Sequence, residues 1–294
     1  MSFSLEVKKE LIDSPIKQTC CKKALLFGLL YNSRHIKGTS FSADFLLEEA
    51  AQLALRLLGN QGQGEISSLM QGSRRIFRFE YSSKAFASFI GRVSQGESIS
   101  EAAKFRCVEC SICFLRGVLI STSTINDPTK SYHLEIPILT ENLDRIESLR
   151  SLLLDFDMVP NTLKREKKTS LYFKSNTVIS DILTYTGAKS AGFLAANTYI
   201  ERDIRNNENR ATNFVAKNIS KSVVATQKQI AAINKLKSAD KLTLLPPELL
   251  QTAMLRLEHD DVTLSELALM HEPPISKSGL NHRLEKICKF SEEN

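Results

Sequence analysis

Two stretches of this chain share a Cys and a Gly at one spacing, and neither carries a carboxylate where its helical pattern ends. Cys21-Lys-Lys-Ala-Leu-Leu-Phe-Gly28-Leu-Leu and Cys110-Ser-Ile-Cys-Phe-Leu-Arg-Gly117-Val-Leu each place a Cys seven residues before a Gly inside a helical apolar pattern. Glycine at such positions lets two helices approach closely. Cleavage at their ends would need carboxylates, because hard Mg²⁺ takes oxygen ligands. Five residues beyond each Gly the chain has Ser33 and Thr122 instead. The nearest carboxylate downstream of Thr122 is Asp127, in a turn before Pro128, five residues too late to replace a ligand. A fold without catalysis is expected here.

A second group of residues suits binding to nucleic acid. Arg205, Asn209, Arg210 and Asn213 fall at helical spacings and would share one polar face, which Lys221 roughly continues. Arg and Asn match phosphate oxygens and base edges. The alternative is that the Asn residues cap turns or bond a neighbouring domain. Near the C-terminus, Ser276, Lys277, Ser278, Asn281, His282 and Arg283 crowd the first turns of the last helical pattern. Leu280, Leu284, Ile287 and Cys288 form its apolar stripe, so one face is held and the other is free for a major groove. Asn281 suits adenine in two places, and Arg283 suits a phosphate.

The remaining reactive residues point to little chemistry. Cys107-x-x-Cys110-x-x-Cys113 invites a metal reading, but zinc needs a fourth ligand and the spacing also fits one side of a helix. These are expected to be buried thiols, with a metal site or redox sensing as alternatives. In a reducing cytoplasm the six cysteines are more readily free than paired. No Ser/His/Asp or Cys/His set can be assembled around His35 or His133. Gly59–Gly64 lacks the ending of a phosphate loop and is expected to be a surface loop. Neither metal nor cofactor is expected.

Periodicity supplies the elements that must position these residues. In the first half, the Gly28 helix is followed by a strand-like stretch at 34–42 and a helix over 45–58. Strands at 66–70 and 75–81 and a helix over 84–93 complete it. In the second half, the Gly117 helix leads to a strand at 132–139 and a helix over 141–156, striped by Leu143, Ile146, Leu149, Leu152 and Leu153. Strands at 160–165 and 170–174 and a helix over 176–187 follow. The repeat predicts one α+β domain over residues 1–200, with halves at about 1–95 and 105–200 related by a pseudo-twofold axis. Residues 201–240 read as a basic helical connector. Residues 241–294 read as an all-α helix-turn-helix. There Pro247 opens a first helix, Thr263-Leu-Ser-Glu266 forms a capping box for a second, and Ser276 or Ser278 starts the third.

The glycine helices resemble the LAGLIDADG motif of homing endonucleases, in which an acid near each helix end holds the metal. Ser33 and Thr122 occupy those positions here, so the resemblance implies lost catalytic residues. More specific are Ser123-Thr-Ile-Asn-Asp-Pro-Thr-Lys-Ser-Tyr-His-Leu-Glu135, the start Met-Ser-Phe-Ser with Glu-Val-Lys-Lys-Glu10, and Pro273-Pro-Ile-Ser-Lys-Ser-Gly-Leu-Asn-His-Arg-Leu284. In these the chain resembles the bacterial WhiA family. That resemblance implies a transcription regulator of cell division, chromosome segregation and sporulation, bound to double-stranded promoter DNA, without enzymatic activity. It also implies a similar Asn/Arg ladder after residue 201. An RNA polymerase subunit or another regulator is the alternative partner, through a protein-interaction scaffold. An active LAGLIDADG nuclease is the remaining alternative.

Charge supports a nucleic-acid partner without identifying it. The net charge is +6. Residues 201–240 carry 8 Lys+Arg against 4 Asp+Glu, whereas residues 241–294 carry 6 against 9. The connector is therefore expected to supply electrostatic affinity that the acidic C-terminal segment lacks. No apolar run reaches membrane-spanning length and the N-terminus has no secretory pattern, so a cytoplasmic, nucleoid-associated protein without a membrane partner is expected.

Overall fold

The computed structural model describes residues 2–166 and 168–293. The chain divides into two compact units, one ending at Arg202 and one beginning at Asp203.

The first unit opens with α1 (Phe3–Asp13) and α2 (Thr19–Leu30), then β1 (Arg34–Lys37), β2 (Ser40–Phe45), α3 (Glu48–Leu58), β3 (Gln63–Gln71), β4 (Arg74–Ser82) and α4 (Lys84–Ser94). The short α5 (Ile99–Ala103) leads to α6 (Glu109–Thr122), β5 (Thr124–Ile125), β6 (Leu134–Leu139), α7 (Asp144–Leu154), β7 (Asn161–Lys164), β8 (Lys168–Phe173) and α8 (Asn176–Thr186). Each half folds into a four-stranded antiparallel sheet. The strand orders are β1-β2-β4-β3 and β5-β6-β8-β7, the same order twice. This is the α+β repeat that the glycine spacing predicts.

Alternation makes these strands. On β2 and β4, Phe41 opposes Tyr81 and Ala43 opposes Phe79, all four buried, while the intervening side chains point outward. On β6, Leu134, Ile136 and Ile138 are fully buried. The covering helix α3 has Glu48 and Glu49 in its first turn and Arg56 in its last, matching the helix dipole, and buries Ala50, Ala51, Ala54 and Leu58. Helices α2 and α6 lie at the centre of the unit and are buried on nearly every side. A Cβ on Gly28 would lie 1.9 Å from the Phe114 carbonyl oxygen, and one on Gly117 would lie 2.3 Å from the Leu25 carbonyl oxygen. The glycines are therefore required by backbone contact in both directions.

The loop expected at Gly59–Gly64 is a correction. Only Gly59–Gln61 forms a turn, and β3 begins at Gln63. A Cβ on Gly62 would lie 2.2 Å from the Ser82 carbonyl oxygen, and one on Gly64 would lie 2.6 Å from the Phe79 ring. These glycines admit a neighbouring strand rather than loosen a loop.

Helix α9 (Lys189–Ser238) runs from the first unit into the second. The second unit continues with α10 (Pro247–Glu258), α11 (Leu264–Leu269) and α12 (Lys277–Glu293). Its core contains Ala253, Leu267, Ala268, Leu280, Leu284 and Ile287, together with Ile233 and Leu236 from α9. The sequence reading separates connector from trihelix at residue 240. In the structure the last turns of α9 already belong to the trihelix core, because Ile233 and Leu236 are buried in the same cluster as Leu280, Leu284 and Ile287.

Candidate nucleic-acid interface

The ends of α2 and α6 meet at a small cleft lined by Asn32, Ser33, Asp44, Ser121 and Thr122, among others. Ser33 is buried, and its hydroxyl oxygen accepts from the Tyr81 hydroxyl at 2.9 Å. The Thr122 hydroxyl donates to the Val118 carbonyl at 3.0 Å. Asp44 is the carboxylate at the cleft, and Arg78 holds it with two bonds of 2.7 and 3.0 Å. Behind Ser33 lies a cation. Arg145 of α7, 4 % exposed, donates to the Tyr31 and Ser33 carbonyls at 2.6 and 3.1 Å. Asn142 also donates to the Ser33 carbonyl, at 3.3 Å. Burial lowers the Arg145 pKa from its ordinary value, but a guanidinium remains charged at neutral pH. A fixed positive charge beside these carbonyls opposes a divalent cation there. Sequence reasoning finds Ser33 and Thr122. It misses Arg145 because a guanidinium 112 residues away leaves no local signal.

The second unit positions its side chains through polar anchors within the trihelix. Thr263 caps α11: its hydroxyl accepts from the Glu266 N–H at 3.3 Å, and its own N–H donates to the Glu266 carboxylate at 2.8 Å. These bonds hold the Glu266 carboxyl below the usual range. Arg256, 1 % exposed, donates to Gln229 at 3.2 Å, to the Val262 carbonyl at 2.9 Å and to the Thr226 hydroxyl at 2.6 Å. It thereby joins α9, α10 and the turn before α11. His271 is buried between the Leu267 carbonyl and the Thr252 hydroxyl, at 2.9 and 3.0 Å. The proline-rich turn that follows contains a cis Glu272–Pro273 bond. Ser276 then caps α12, its hydroxyl accepting from the Gly279 N–H at 3.1 Å.

This frame buries Leu280, Leu284 and Ile287 and leaves Ser276, Lys277, Ser278 and His282 exposed on the first turns of α12. Lys286 and Lys289 are exposed further along the helix. Two of the expected readers have partners within the unit. Arg283 forms an ion pair with Glu248 of α10 at 3.3 Å, and Asn281 donates to Glu285 at 2.8 Å. Asn281 and Glu285 also line a groove shared with Lys228 and Gln229 of α9. Arg205, Asn209, Arg210, Asn213 and Lys221 are all exposed on α9, and none forms an ion pair with another described residue. No helix among the described residues is long and apolar enough to cross a membrane.

Known proteins match this arrangement along the whole chain. Residues 112–205 match the model of the WhiA LAGLIDADG-like domain, and residues 209–291 match that of the WhiA C-terminal HTH domain. The probable cell division protein WhiA of Alkaliphilus metalliredigens is 30% identical, with 99% of this chain and 98% of that protein covered. Its counterpart in Bacillus cytotoxicus is 33% identical, with 100% and 97% covered. Among solved structures, full-length WhiA from Thermatoga maritima shares the fold, with a TM-score of 0.61, 24% identity and coverage of 100% and 99%.

Proposed function

The chain belongs to the WhiA family, and from that premise we propose that it is a DNA-binding transcription regulator that acts in cell division and does not cleave DNA. The observation that carries this reading is the capped N-terminal turn of α12. It presents Ser276, Lys277, Ser278 and His282 to solvent on a helix whose opposite face is locked by Leu280, Leu284 and Ile287. A recognition helix needs that division of faces. The amino end of the helix adds a partial positive charge that favours phosphate. Lys277, Lys286 and Lys289 add further cations, and His282 and Ser278 can pair with base edges.

Arg283 and Asn281 enter this reading on different terms from the exposed residues. To meet DNA, Arg283 must leave Glu248 or share its guanidinium, and Asn281 must leave Glu285. We assign them to the edges of the interface. The exposed face of α9 at Arg205, Asn209, Arg210, Asn213 and Lys221 supplies non-specific phosphate contacts that the acidic trihelix lacks. Chromosome segregation and sporulation are further roles that we infer from the family resemblance, at promoter DNA within the nucleoid. The absence of nuclease activity rests on the hydroxyls of Ser33 and Thr122 and on the Arg145 guanidinium behind them.

Fluorescence anisotropy of the full chain on promoter-derived and random duplexes, at several salt concentrations, tests the proposal. A base-edge contact is worth about 1–3 kcal/mol, so Lys277→Ala/His282→Ala should weaken binding by about tenfold or more. Loss of one phosphate contact should also reduce the salt slope by about 1. Asn281→Ala/Arg283→Ala should have a smaller effect. Lack of binding to either duplex at low salt refutes the proposal. Salt-independent binding to a polymerase subunit in its place would favour a protein-interaction role.

A further inference from the structure

Six cysteines are scattered through the sequence, yet four of them meet at one point of the first unit. Cys20 and Cys21 lie in the first turn of α2, Cys110 in the first turn of α6, and Cys107 just before that helix. Their Sγ atoms all lie within 4.8 Å of one another. Cys107 Sγ is 3.7 Å from that of Cys20, 3.5 Å from that of Cys21 and 3.5 Å from that of Cys110. A disulfide requires about 2.05 Å, so no pair among them is bonded. Four sulfurs bound at about 2.3 Å around one tetrahedral ion lie about 3.8 Å apart along each edge. The three distances to Cys107 are close to that edge.

We propose that Cys20, Cys21, Cys107 and Cys110 bind one zinc-class divalent ion as a tetrathiolate. Sulfur donors with tetrahedral spacing select such a soft-accepting ion over Mg²⁺ or Ca²⁺. Cys21 and Cys110 are buried and Cys20 and Cys107 are half-buried, which leaves an entry side for the ion. The spacing Cys107-x-x-Cys110 supplies half the ligands, and the adjacent pair Cys20-Cys21 in the other half of the repeat supplies the rest. Cys113, which the sequence groups with Cys107 and Cys110, lies one turn further along the buried helix and outside this set.

The charge around the cluster is consistent with four thiolates. Two helix N-termini point their partial positive charge toward it. The cavity beside Cys20 is lined by Lys22, Lys23, Arg56, Lys104 and Arg106, and by no carboxylate. None of these five forms an ion pair with another described residue. A divalent ion with four thiolates carries a net charge of −2, which offsets this excess. Each thiol proton displaced on binding goes to solvent. The ion would cross-link the starts of α2 and α6, and so join the two halves where their central helices begin.

The test uses the full chain, purified in reductant and without chelator. Elemental analysis should find about one zinc per chain, and about one cobalt should replace it in chelator-treated protein with intense visible bands of tetrahedral thiolate coordination. Occupancy should fall below about a tenth in Cys107→Ser/Cys110→Ser and stay near one in Cys288→Ser, whose thiol belongs to the second unit and is not one of the four. Cobalt titration of the wild-type chain keeps the test decisive if the double variant fails to fold. Metal-free protein that gives no thiolate–cobalt bands would overturn the proposal. So would full occupancy in the double variant, or a disulfide among the four in reductant.

Discussion

Gly28→Ala adds a single carbon at the closest approach of α2 and α6. On the observed backbone that carbon would lie 1.9 Å from the Phe114 carbonyl oxygen and 3.1 Å from Gly117 Cα. Neither obstacle is a side chain that can rotate away. Restoring an ordinary contact requires the helices to separate by roughly 1.5 Å at the crossing, and a gap of about 0.5–1 Å already forfeits a quarter to a half of each dispersion well. Overpacking that side chains relieve costs about 1–3 kcal/mol, and backbone on both sides puts this case at or above the upper end. Alanine's helix propensity returns about 1 kcal/mol. A net loss of about 2–3 kcal/mol is expected. The chain has no Trp, and its six tyrosines all lie between Tyr31 and Tyr199, so tyrosine emission during urea unfolding follows the first unit alone. Gly91→Ala is the control, because Gly91 is an exposed helical glycine with nothing within 4 Å of an added Cβ. It should gain about 0.5–1 kcal/mol. If Gly28→Ala unfolds at the same urea concentration as Gly91→Ala, the glycine crossing is not the close contact described above.

Lys8 is 1 % exposed, its ammonium has no hydrogen-bond partner among the described residues, and burial lowers its pKa from 10.5 to about 8. The unfolded chain therefore binds the extra proton more tightly, so the cost of charging Lys8 is full below pH 8 and fades as pH rises toward 10.5. Lys8→Met should stabilise the first unit by about 3 kcal/mol at neutral pH, with an advantage that shrinks in alkaline urea titrations; a pH-independent difference would contradict this. Arg256→Met leaves the Gln229 and Val262 acceptors without their donor and should cost about 2–4 kcal/mol in the second unit. That loss should appear in far-UV circular dichroism while tyrosine emission stays unchanged. Thr263→Ala should remove about 1 kcal/mol of capping energy from the same transition. Ser33→Asp/Thr122→Asp restores two carboxylates but not a metal site, because Arg145 remains; plasmid nicking with Mg²⁺ or Mn²⁺ by this variant would refute that argument.

Local pattern carries much of this fold into the sequence. The capping box at Thr263 and Glu266, the Ser276 cap and the alternation of β6 are short-range and are read with nearly the observed bounds, whereas the stretch read as one strand at 34–42 is a hairpin whose second strand runs on to Phe45. What the pattern does not carry is who meets whom across the chain. Gly62 and Gly64 look like loop residues until β4 is laid against them. Cys20 and Cys21 look unrelated to Cys107 until the two glycine helices cross. On α12, spacing alone places Asn281 and Arg283 among the readers, but their acceptors on Glu285 and Glu248 are long flexible carboxylates whose reach depends on packing. Arg145 and Arg256 are the clearest cases. Composition places arginine on the surface, and only tertiary structure supplies the carbonyls that let it be buried.

The two halves share one strand order and each presents a glycine helix to the other, so they meet through equivalent elements. A chain ending near residue 95 would expose Leu25 and Leu29 of α2 beside Gly28, which are buried in the whole unit. Such a fragment can satisfy that surface by pairing with its own copy in isologous fashion, Gly28 against Gly28. The covalent link between the halves then acts as protection against homotypic capture, by keeping the correct partner at high effective concentration from the moment both have been synthesised.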